Sequence, residues 1–139
     1  FDAPRARAFE ALTQPDLVRQ WLLGPPGWTM PVCEIDLRPG GAFRYVWRHS
    51  DKEDMGVRGT FREIMPPERI VHTEIFDVDW TDGETTVTTV LTERSARTTL
   101  SITVLYSSRQ ARDGALQSGM QEGMEAGYAL LEDLLKRAA

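Results

Sequence analysis

The chain has 139 residues, of which 41% are hydrophobic and 27% are charged, a composition typical of one globular domain. Its net charge of -5 disfavours a nucleic-acid-binding surface, because such surfaces carry a basic patch. No apolar run approaches the ~18 residues that span a membrane, and the single cysteine excludes an internal disulfide and suits a reducing compartment. We therefore expect a cytoplasmic protein that neither binds nucleic acid nor inserts into a membrane.

The N-terminal part of the chain predicts two short helices. Residues 1–4 are typical of the tail of a strand that runs into a helix, so we expect a first strand to be truncated. Asp2 is predicted to cap a helix from Pro4 to Leu12, because aspartate accepts hydrogen bonds from the first helical N–H groups. Thr13 is predicted to cap the second helix in the same way.

Six segments that alternate between apolar and polar residues follow, and each predicts a strand: 32–38, 42–48, 55–64, 69–77, 85–93 and 97–106. Together they indicate an antiparallel sheet with one buried face. The orientation of the strand at 69–77 stays open, because both of its sides contain apolar residues. One side carries Ile70, His72, Glu74 and Phe76, and the other carries Val71, Thr73 and Ile75.

The last predicted element is a long helix from Asp113 to Arg137 with a wide apolar side. Gly119, Gly123 and Gly127 recur on that side, although each costs about 1 kcal/mol relative to alanine in a helix. Either a neighbouring strand approaches the helix closely at these positions, or space is left open beneath it. Because one long helix must cover the apolar face of a whole sheet, we predict an α+β fold in which a curved antiparallel sheet wraps around this helix.

Short motifs along the chain resemble, in the same order, those of one protein family. They are residues 36–41 (DLRPGG), 66–71 (PPERIV), 85–88 (TTVT), 112–113 (RD) and 118–124 (SGMQEGM). The family is the bacterial branch similar to the activator of heat-shock ATPase, within the START-like superfamily that is also called SRPBCC or pollen-allergen-like. The resemblance covers nearly the whole chain, 1–139, as a single domain.

This resemblance implies a helix-grip fold, with two short helices after the first strand and a hydrophobic cavity between the sheet and the C-terminal helix. Members of the superfamily include lipid carriers, hormone-binding proteins, cyclases and co-chaperone domains. No set of catalytic residues is shared across the branch, so the resemblance assigns none to this chain.

Aromatic and apolar residues are the candidates for the wall of the cavity, because ligand pockets are mainly apolar with a few polar groups that orient the ligand. The predicted ligand-binding residues are Trp21, Ile35, Tyr45, Trp47, Phe61, His72, Phe76, Met120, Gly123, Met124, Gly127 and Tyr128. The alternative is that these side chains simply fill the core. Tyr45, Tyr128 and His72 are the favoured polar anchors, since each joins a planar body to a hydrogen-bonding tip.

His72 and Glu74 are also weak candidates for catalysis. They lie two residues apart on one strand and therefore share a face, where an imidazole and a carboxylate can act as acid and base if that face is the inner one. The polar loop at 49–54 lacks the spacing of a calcium-binding loop, so we expect a solvated hairpin tip and neither a metal nor a cofactor. Cys33 is expected to be a small buried side chain.

The sequence thus favours a non-catalytic protein that binds a small hydrophobic molecule in the cavity. Two alternatives remain open. One is a domain that associates with a chaperone ATPase in the stress response, as the name of the family suggests. The other is an enzyme of the cyclase or hydrolase type that uses His72 and Glu74. A homodimer is compatible with the family, and no feature of the sequence establishes one.

Overall fold

The structure of the chain, a computed structural model, describes residues 1–23, 26–77, 83–116 and 120–137, with the backbone alone at 120–123 and 137. Two short helices, α1 (Arg5–Thr13) and α2 (Pro15–Trp21), precede a six-stranded sheet. The strands are β1 (Thr29–Ile35), β2 (Ala42–Arg48), β3 (Met55–Met65), β4 (Arg69–Phe76), β5 (Thr85–Arg94) and β6 (Arg97–Leu105). Two further helices follow, α3 (Arg109–Leu116) and α4 (Met120–Arg137).

The six strands form one antiparallel sheet in which each strand pairs with its neighbours in sequence. The sheet curves into a half-barrel, and α4 lies on its concave side, where it packs against α1 and α2. This is the predicted α+β helix-grip architecture, and the prediction is confirmed. Among the described residues, no helix combines the length and the apolar composition that crossing a membrane requires.

The C-terminal region predicted as one helix at 113–137 is helical in both of its described parts. α3 ends at Leu116 and α4 begins at Met120, and the residues that separate them lie outside the described part of the chain. Gly119 lies between them, outside the described residues, and the surroundings of Gly123 are likewise outside them. Of the three glycines predicted to share one side, only Gly127 has described surroundings.

The start of α1 also differs from the prediction. Asp2 does not cap the helix, because its carboxylate binds the guanidinium of Arg97 at 2.6 Å. Pro4 occupies the capping position and makes no side-chain hydrogen bond there. Phe1 exchanges two backbone hydrogen bonds with Thr98 of β6, at 2.7 and 2.9 Å, as residues of neighbouring antiparallel strands do. These contacts hold the first residues beside β6.

Thr13 does not cap α2 either. It is the last residue of α1, and its hydroxyl donates a hydrogen bond to the carbonyl oxygen of Phe9 at 2.8 Å. A threonine inside a helix commonly bonds back to the carbonyl four residues earlier, which leaves its hydroxyl unavailable to the next helix. Gln14 takes the capping position of α2 instead, without a side-chain hydrogen bond.

The inward side of β4 is the one that carries Ile70, His72, Glu74 and Phe76. Ile70 is buried in the core, and Phe76 packs against it. The ring of His72 lies edge-on to two core rings, 5.3 Å from Phe43 and 6.2 Å from Phe61 between centroids. The structure thereby answers the question that the alternation left open, and places His72 and Glu74 on the concave side of the sheet.

Gly59 of β3 makes room for the ring on which His72 packs. Phe43 is its direct partner in the β2–β3 register. A Cβ at position 59 would lie 2.6 Å from Cε1 of Phe43 and would overlap the carbonyl oxygen of Thr73. The phenyl ring therefore lies across the glycine and reaches the imidazole, an arrangement that any side chain at this position would disturb.

Gly127 allows α2 and α4 to approach each other closely. A Cβ at this position would lie 3.3 Å from the carbonyl oxygen of Trp21, the last residue of α2. The Trp21 ring stacks on Tyr128 with centroids 6.1 Å apart and 23° between the planes. The apolar side of α4 continues into the core with Leu131, Leu134 and Leu135. Close packing therefore explains Gly127, although the neighbour is a helix and not the strand considered from the sequence.

Candidate functional site

A cleft of about 410 Å³ opens between β6 and α4. Its walls are mainly apolar and consist of Phe1, Thr98, Thr99, Leu100, Ile102, Met124 and Tyr128. Leu100 and Ile102 are partly buried, whereas Ser101 and Thr103 next to them in the strand are exposed, as expected for alternate faces. Pockets for small molecules typically measure about 300–1,000 Å³. The cleft therefore has the size and the lining of a site for a small, mainly apolar molecule.

An adjoining depression of about 440 Å³ shares Phe1, Thr98 and Thr99 with this cleft and extends to the β5–β6 hairpin. Its other lining residues include two arginines, Arg94 and Arg97. The two depressions together form a trough along the outer strand, with a basic end at the hairpin.

A partly buried pair of polar side chains lies on the concave side of the sheet. Nε2 of His72 is 3.1 Å from Oε2 of Glu74, and the two side chains are only 18% and 27% exposed. The other ring nitrogen of His72, Nδ1, is buried and finds no hydrogen-bond partner among the described residues. Buried polar atoms are rarely left unpaired, so this nitrogen is an unusual feature of the interior.

No described arginine or lysine forms an ion pair with Glu74, whose ionic partner among the described residues is His72. Asp77, by contrast, accepts two hydrogen bonds from the guanidinium of Arg44, at 2.7 and 2.6 Å. These bonds lower the pKa of the Asp77 carboxyl. Glu74 has the imidazole of His72 as its hydrogen-bond partner instead.

All three tyrosines of the chain lie within electrostatic range of Glu74. Burial is the main cause of a raised pKa at each of them, and the negative charge of Glu74 adds to it. The pKa of Tyr128 rises to about 12, and the pKa values of Tyr45 and Tyr106 are also raised.

The structure distributes the predicted ligand-binding residues over several environments. Met124 and Tyr128 line the cleft. Trp21 and Phe61 are buried core residues, while Ile35, Tyr45, Trp47 and Phe76 are partly buried and pack against that core. Met120 and Gly123 belong to α4, but their surroundings lie outside the described residues.

The two tryptophans on this list have defined structural partners. The indole N–H of Trp21 donates to the carbonyl oxygen of Ala11 at 2.7 Å, and that of Trp47 donates to the carbonyl oxygen of Leu22 at 2.7 Å. These bonds attach the helical segment before β1 to itself and to the sheet. They satisfy both indole groups without a ligand.

Sequence reasoning missed the contribution of β6 to the cleft. Thr98, Leu100 and Ile102 line it, yet none of them was a candidate. The available signal was the alternation of the segment 97–106, together with its position as the last strand before the long helix.

Cys33 is buried, as the sequence predicted. Burial raises the pKa of its thiol, which disfavours the nucleophilic thiolate. Among the described residues, no group of three or more histidine, cysteine, aspartate or glutamate side chains comes together as a metal site would require.

The family model described as "Activator of Hsp90 ATPase homolog 1-like protein" matches residues 2–136, nearly the whole chain. The chain belongs to this family. No curated protein gives a significant match. The Activator of Hsp90 ATPase homolog 1-like assignment confirms the resemblance inferred from the short motifs.

Solved structures share the fold over almost the full chain. A protein from Rhodobacter sphaeroides is 34% identical, with a TM-score of 0.92, and the alignment covers 99% of this chain and 88% of that one. A protein from Nitrosomonas europaea is 25% identical, with a TM-score of 0.85 and coverage of 99% and 90%. An AHSA1-like protein from Aeromonas hydrophila, at 18% identity, shares the fold with a TM-score of 0.75 and coverage of 96% and 88%. The family and these neighbours establish a START/SRPBCC-type domain.

Proposed function

We propose that this chain binds a small, mainly apolar molecule in the cleft between β6 and α4, and that it does so without catalysing a reaction. The observation that carries the proposal is the mainly apolar cleft of about 410 Å³, whose wall also contains a tyrosine and two threonines. Leu100, Ile102 and Met124 supply apolar surface. Tyr128 lines the same cleft and contributes a phenolic hydroxyl, which can donate and accept hydrogen bonds.

The energetics of such a site follow from its lining. Burial of apolar surface contributes roughly 25 cal/mol per Å² and provides affinity without geometric specificity. The few polar groups fix the orientation of the ligand, because leaving a buried polar group unpaired is costly. The cleft offers both kinds of contact, as expected for a carrier or a sensor.

The first experiment is native purification from the protein's own host, followed by denaturation and mass spectrometry of the released small molecules. We expect an apolar molecule at close to one equivalent. The variant Ile102→Trp fills the cleft and should reduce the released amount at least tenfold. Thr103→Trp adds the same side chain to the exposed side of the same strand and should release as much as the wild type.

Two results would contradict the proposal. One is an empty wild-type protein that also fails to bind apolar probes offered in solution. The other is equal release from the wild type and Ile102→Trp, which would place the molecule elsewhere on the protein. Both variants must first give the far-ultraviolet circular dichroism of the wild type.

A second candidate function is association with a chaperone ATPase, and the description of the family favours it. Its test is the rate of ATP hydrolysis by the host's Hsp90-type ATPase with and without this chain. A saturable increase that persists in Ile102→Trp would support an interaction surface independent of the cleft. No change in rate at saturating protein would rule out activation of that enzyme.

A third candidate function is catalysis by the pair His72 and Glu74. A carboxylate that orients an imidazole is an arrangement found in general-base catalysis. Once a ligand is known, Glu74→Gln and His72→Asn distinguish the two roles. Loss of turnover with retained affinity would support an enzyme. Loss of affinity without any turnover in the wild type would support a binding protein.

A further inference from the structure

The trough along β6 changes from apolar to basic over the length of one strand. Its apolar part is the cleft between β6 and α4, and its basic part is the depression at the β5–β6 hairpin, which Arg94 and Arg97 line. Phe1, Thr98 and Thr99 line both parts, so the two volumes lie directly next to each other. A single molecule that occupies the trough therefore contacts both surfaces.

The two arginines differ in how their charge is compensated. Nε of Arg97 lies 2.6 Å from a carboxylate oxygen of Asp2. Arg94 is exposed, and within the described part of the chain it forms no ion pair with a carboxylate. Its neighbour Glu93 instead accepts a hydrogen bond from the backbone N–H of Arg5 at 2.8 Å. The hairpin thus carries an uncompensated positive charge, although the net charge of the whole chain is -5.

The basic part has the chemistry of a carboxylate site, and the apolar part begins close to it. A guanidinium group presents several N–H donors in one plane, which match the oxygens of a carboxylate. Arg97 already pairs with the carboxylate of Asp2 in this region. Along β6, the distance from Thr98 at the basic part to Ile102 in the cleft is about 13 Å. An amphiphile of moderate length is therefore long enough to reach both parts.

We infer that the ligand of the cleft is an amphiphile with a carboxylate head, whose tail lies against Leu100 and Ile102 and whose head lies at Arg94. This inference rests on the proposed binding of an apolar molecule in the cleft, and it adds the class and the orientation of that molecule. A carboxylate compensates for the free charge of Arg94, whereas an ammonium group in the same place is repelled by it. A neutral head gains nothing from this charge.

The competing arrangement is that Arg94 is an ordinary solvated charge at a hairpin and takes no part in binding. Ion pairs between fully exposed groups are weak, because water screens both charges. The inferred contact is stronger to the extent that the apolar wall of the trough and the bound tail exclude water from it. We therefore expect effects of a few-fold, which require probes that differ only in the head group.

The experiment compares three probes that share one apolar tail: octanoate, octan-1-ol and octylamine. Their dissociation constants for the wild-type protein are measured by isothermal titration calorimetry in one buffer of low ionic strength at pH 8. We expect octanoate to bind at least fivefold more tightly than octylamine. The net charge of -5 favours the opposite order, so this result reports the local charge of the trough. Octan-1-ol reports the binding of the tail alone.

Variants locate the source of the preference. Arg94→Gln should weaken octanoate binding at least threefold and leave octan-1-ol binding unchanged. Arg19→Gln is the matched control, because it changes the net charge equally at an exposed position of α2 that does not line the trough. Asp2→Asn releases Arg97 and should strengthen octanoate binding at least twofold, a gain that partial unfolding does not produce. Ile102→Trp should weaken the binding of all three probes.

Each contrary outcome has a distinct meaning. Octylamine binding as tight as that of octanoate overturns the inferred head group, while binding of octan-1-ol in the same experiment keeps the proposed function. An octanoate preference that persists in Arg94→Gln, or that falls equally in Arg94→Gln and Arg19→Gln, also overturns the inference, because the trough arginine is then not its source. Binding of none of the three probes overturns the proposed function and the inference together.

Discussion

Alkaline titration of the tyrosines is the sharpest available check on the interior of this protein. The chain has three tyrosines, and the pKa of each one is raised above the ordinary value of about 10. For Tyr128 the value reaches about 12, mainly because burial disfavours the phenolate and secondarily because Glu74 is negative. In the folded protein, therefore, the ultraviolet absorbance of tyrosinate at pH 10 should be well below that of a denatured control, in which half of the tyrosines are ionised at this pH.

The same shift predicts how stability depends on pH. A tyrosine whose pKa is higher in the folded state stabilises that state fully below pH 10, and this contribution is lost as the pH rises through the folded-state value. Each pKa unit corresponds to 1.36 kcal/mol, so a shift of two units sets an upper bound of about 2.7 kcal/mol for Tyr128. Because its side chain is only partly buried, we expect about 2 kcal/mol to be lost between pH 10 and pH 12.

Urea unfolding at a series of pH values measures this loss, and Tyr128→Phe provides the control. The variant should show a shallower decrease in the free energy of unfolding above pH 10 than the wild type. Glu74→Gln should lower the pKa values of Tyr106 and Tyr128, but by less than burial raises them, since burial is the larger cause. A tyrosine that ionises with an ordinary pKa in the folded wild type would refute the described arrangement of the interior.

Backbone positions give four further predictions, each measured as a change in the free energy of unfolding in urea. Gly114→Ala should stabilise the protein by about 0.5–1 kcal/mol, because a Cβ there meets nothing within 4 Å. Gly127→Ala gains the same helix propensity but brings a methyl group to 3.3 Å from the carbonyl oxygen of Trp21, so we expect almost no net change in the free energy of unfolding. A gain equal to that of Gly114→Ala would show that α2 shifts away from the methyl group at little energetic cost. Ala96→Gly should stabilise by about 1 kcal/mol, since Ala96 has a φ of 61° in the left-handed region, and a loss of stability would argue against this turn. Gly59→Ala should destabilise by at least ~2 kcal/mol through overlap with a backbone carbonyl and an aromatic ring, and a neutral effect would contradict the described packing of β3.

The fold was accessible from the sequence because its signals are local and periodic. The alternation of segments such as 42–48 and 97–106 requires one buried face, and an apolar helix long enough to cover that face follows them. The orientation of β4 was not accessible in this way. Both of its sides contain apolar residues, and the choice depends on contacts with Phe43 and Phe61 on other strands.

The candidate site was predicted less completely than the fold. Aromatic side chains suggested a cavity wall, but large rings such as Trp21 and Phe61 fill the core, because their size suits close packing as well as it suits a ligand. The cleft instead lies where shorter side chains of β6, such as Leu100, face α4. The distance between a strand and a helix far apart in sequence decides the position of an open volume, and that distance is not encoded in either pattern alone.

The stacking of Trp21 on Tyr128 gives the protein an intrinsic optical reporter. Tyr128 lines the cleft, and its ring also stacks on the indole of Trp21, which is almost fully buried. A molecule that enters the cleft is therefore separated from the indole of Trp21 only by the ring of Tyr128, and the fluorescence of an indole depends on its surroundings. Ligands can thus be screened by tryptophan fluorescence without a label, and Trp21→Phe identifies the part of the signal that comes from this stacked pair.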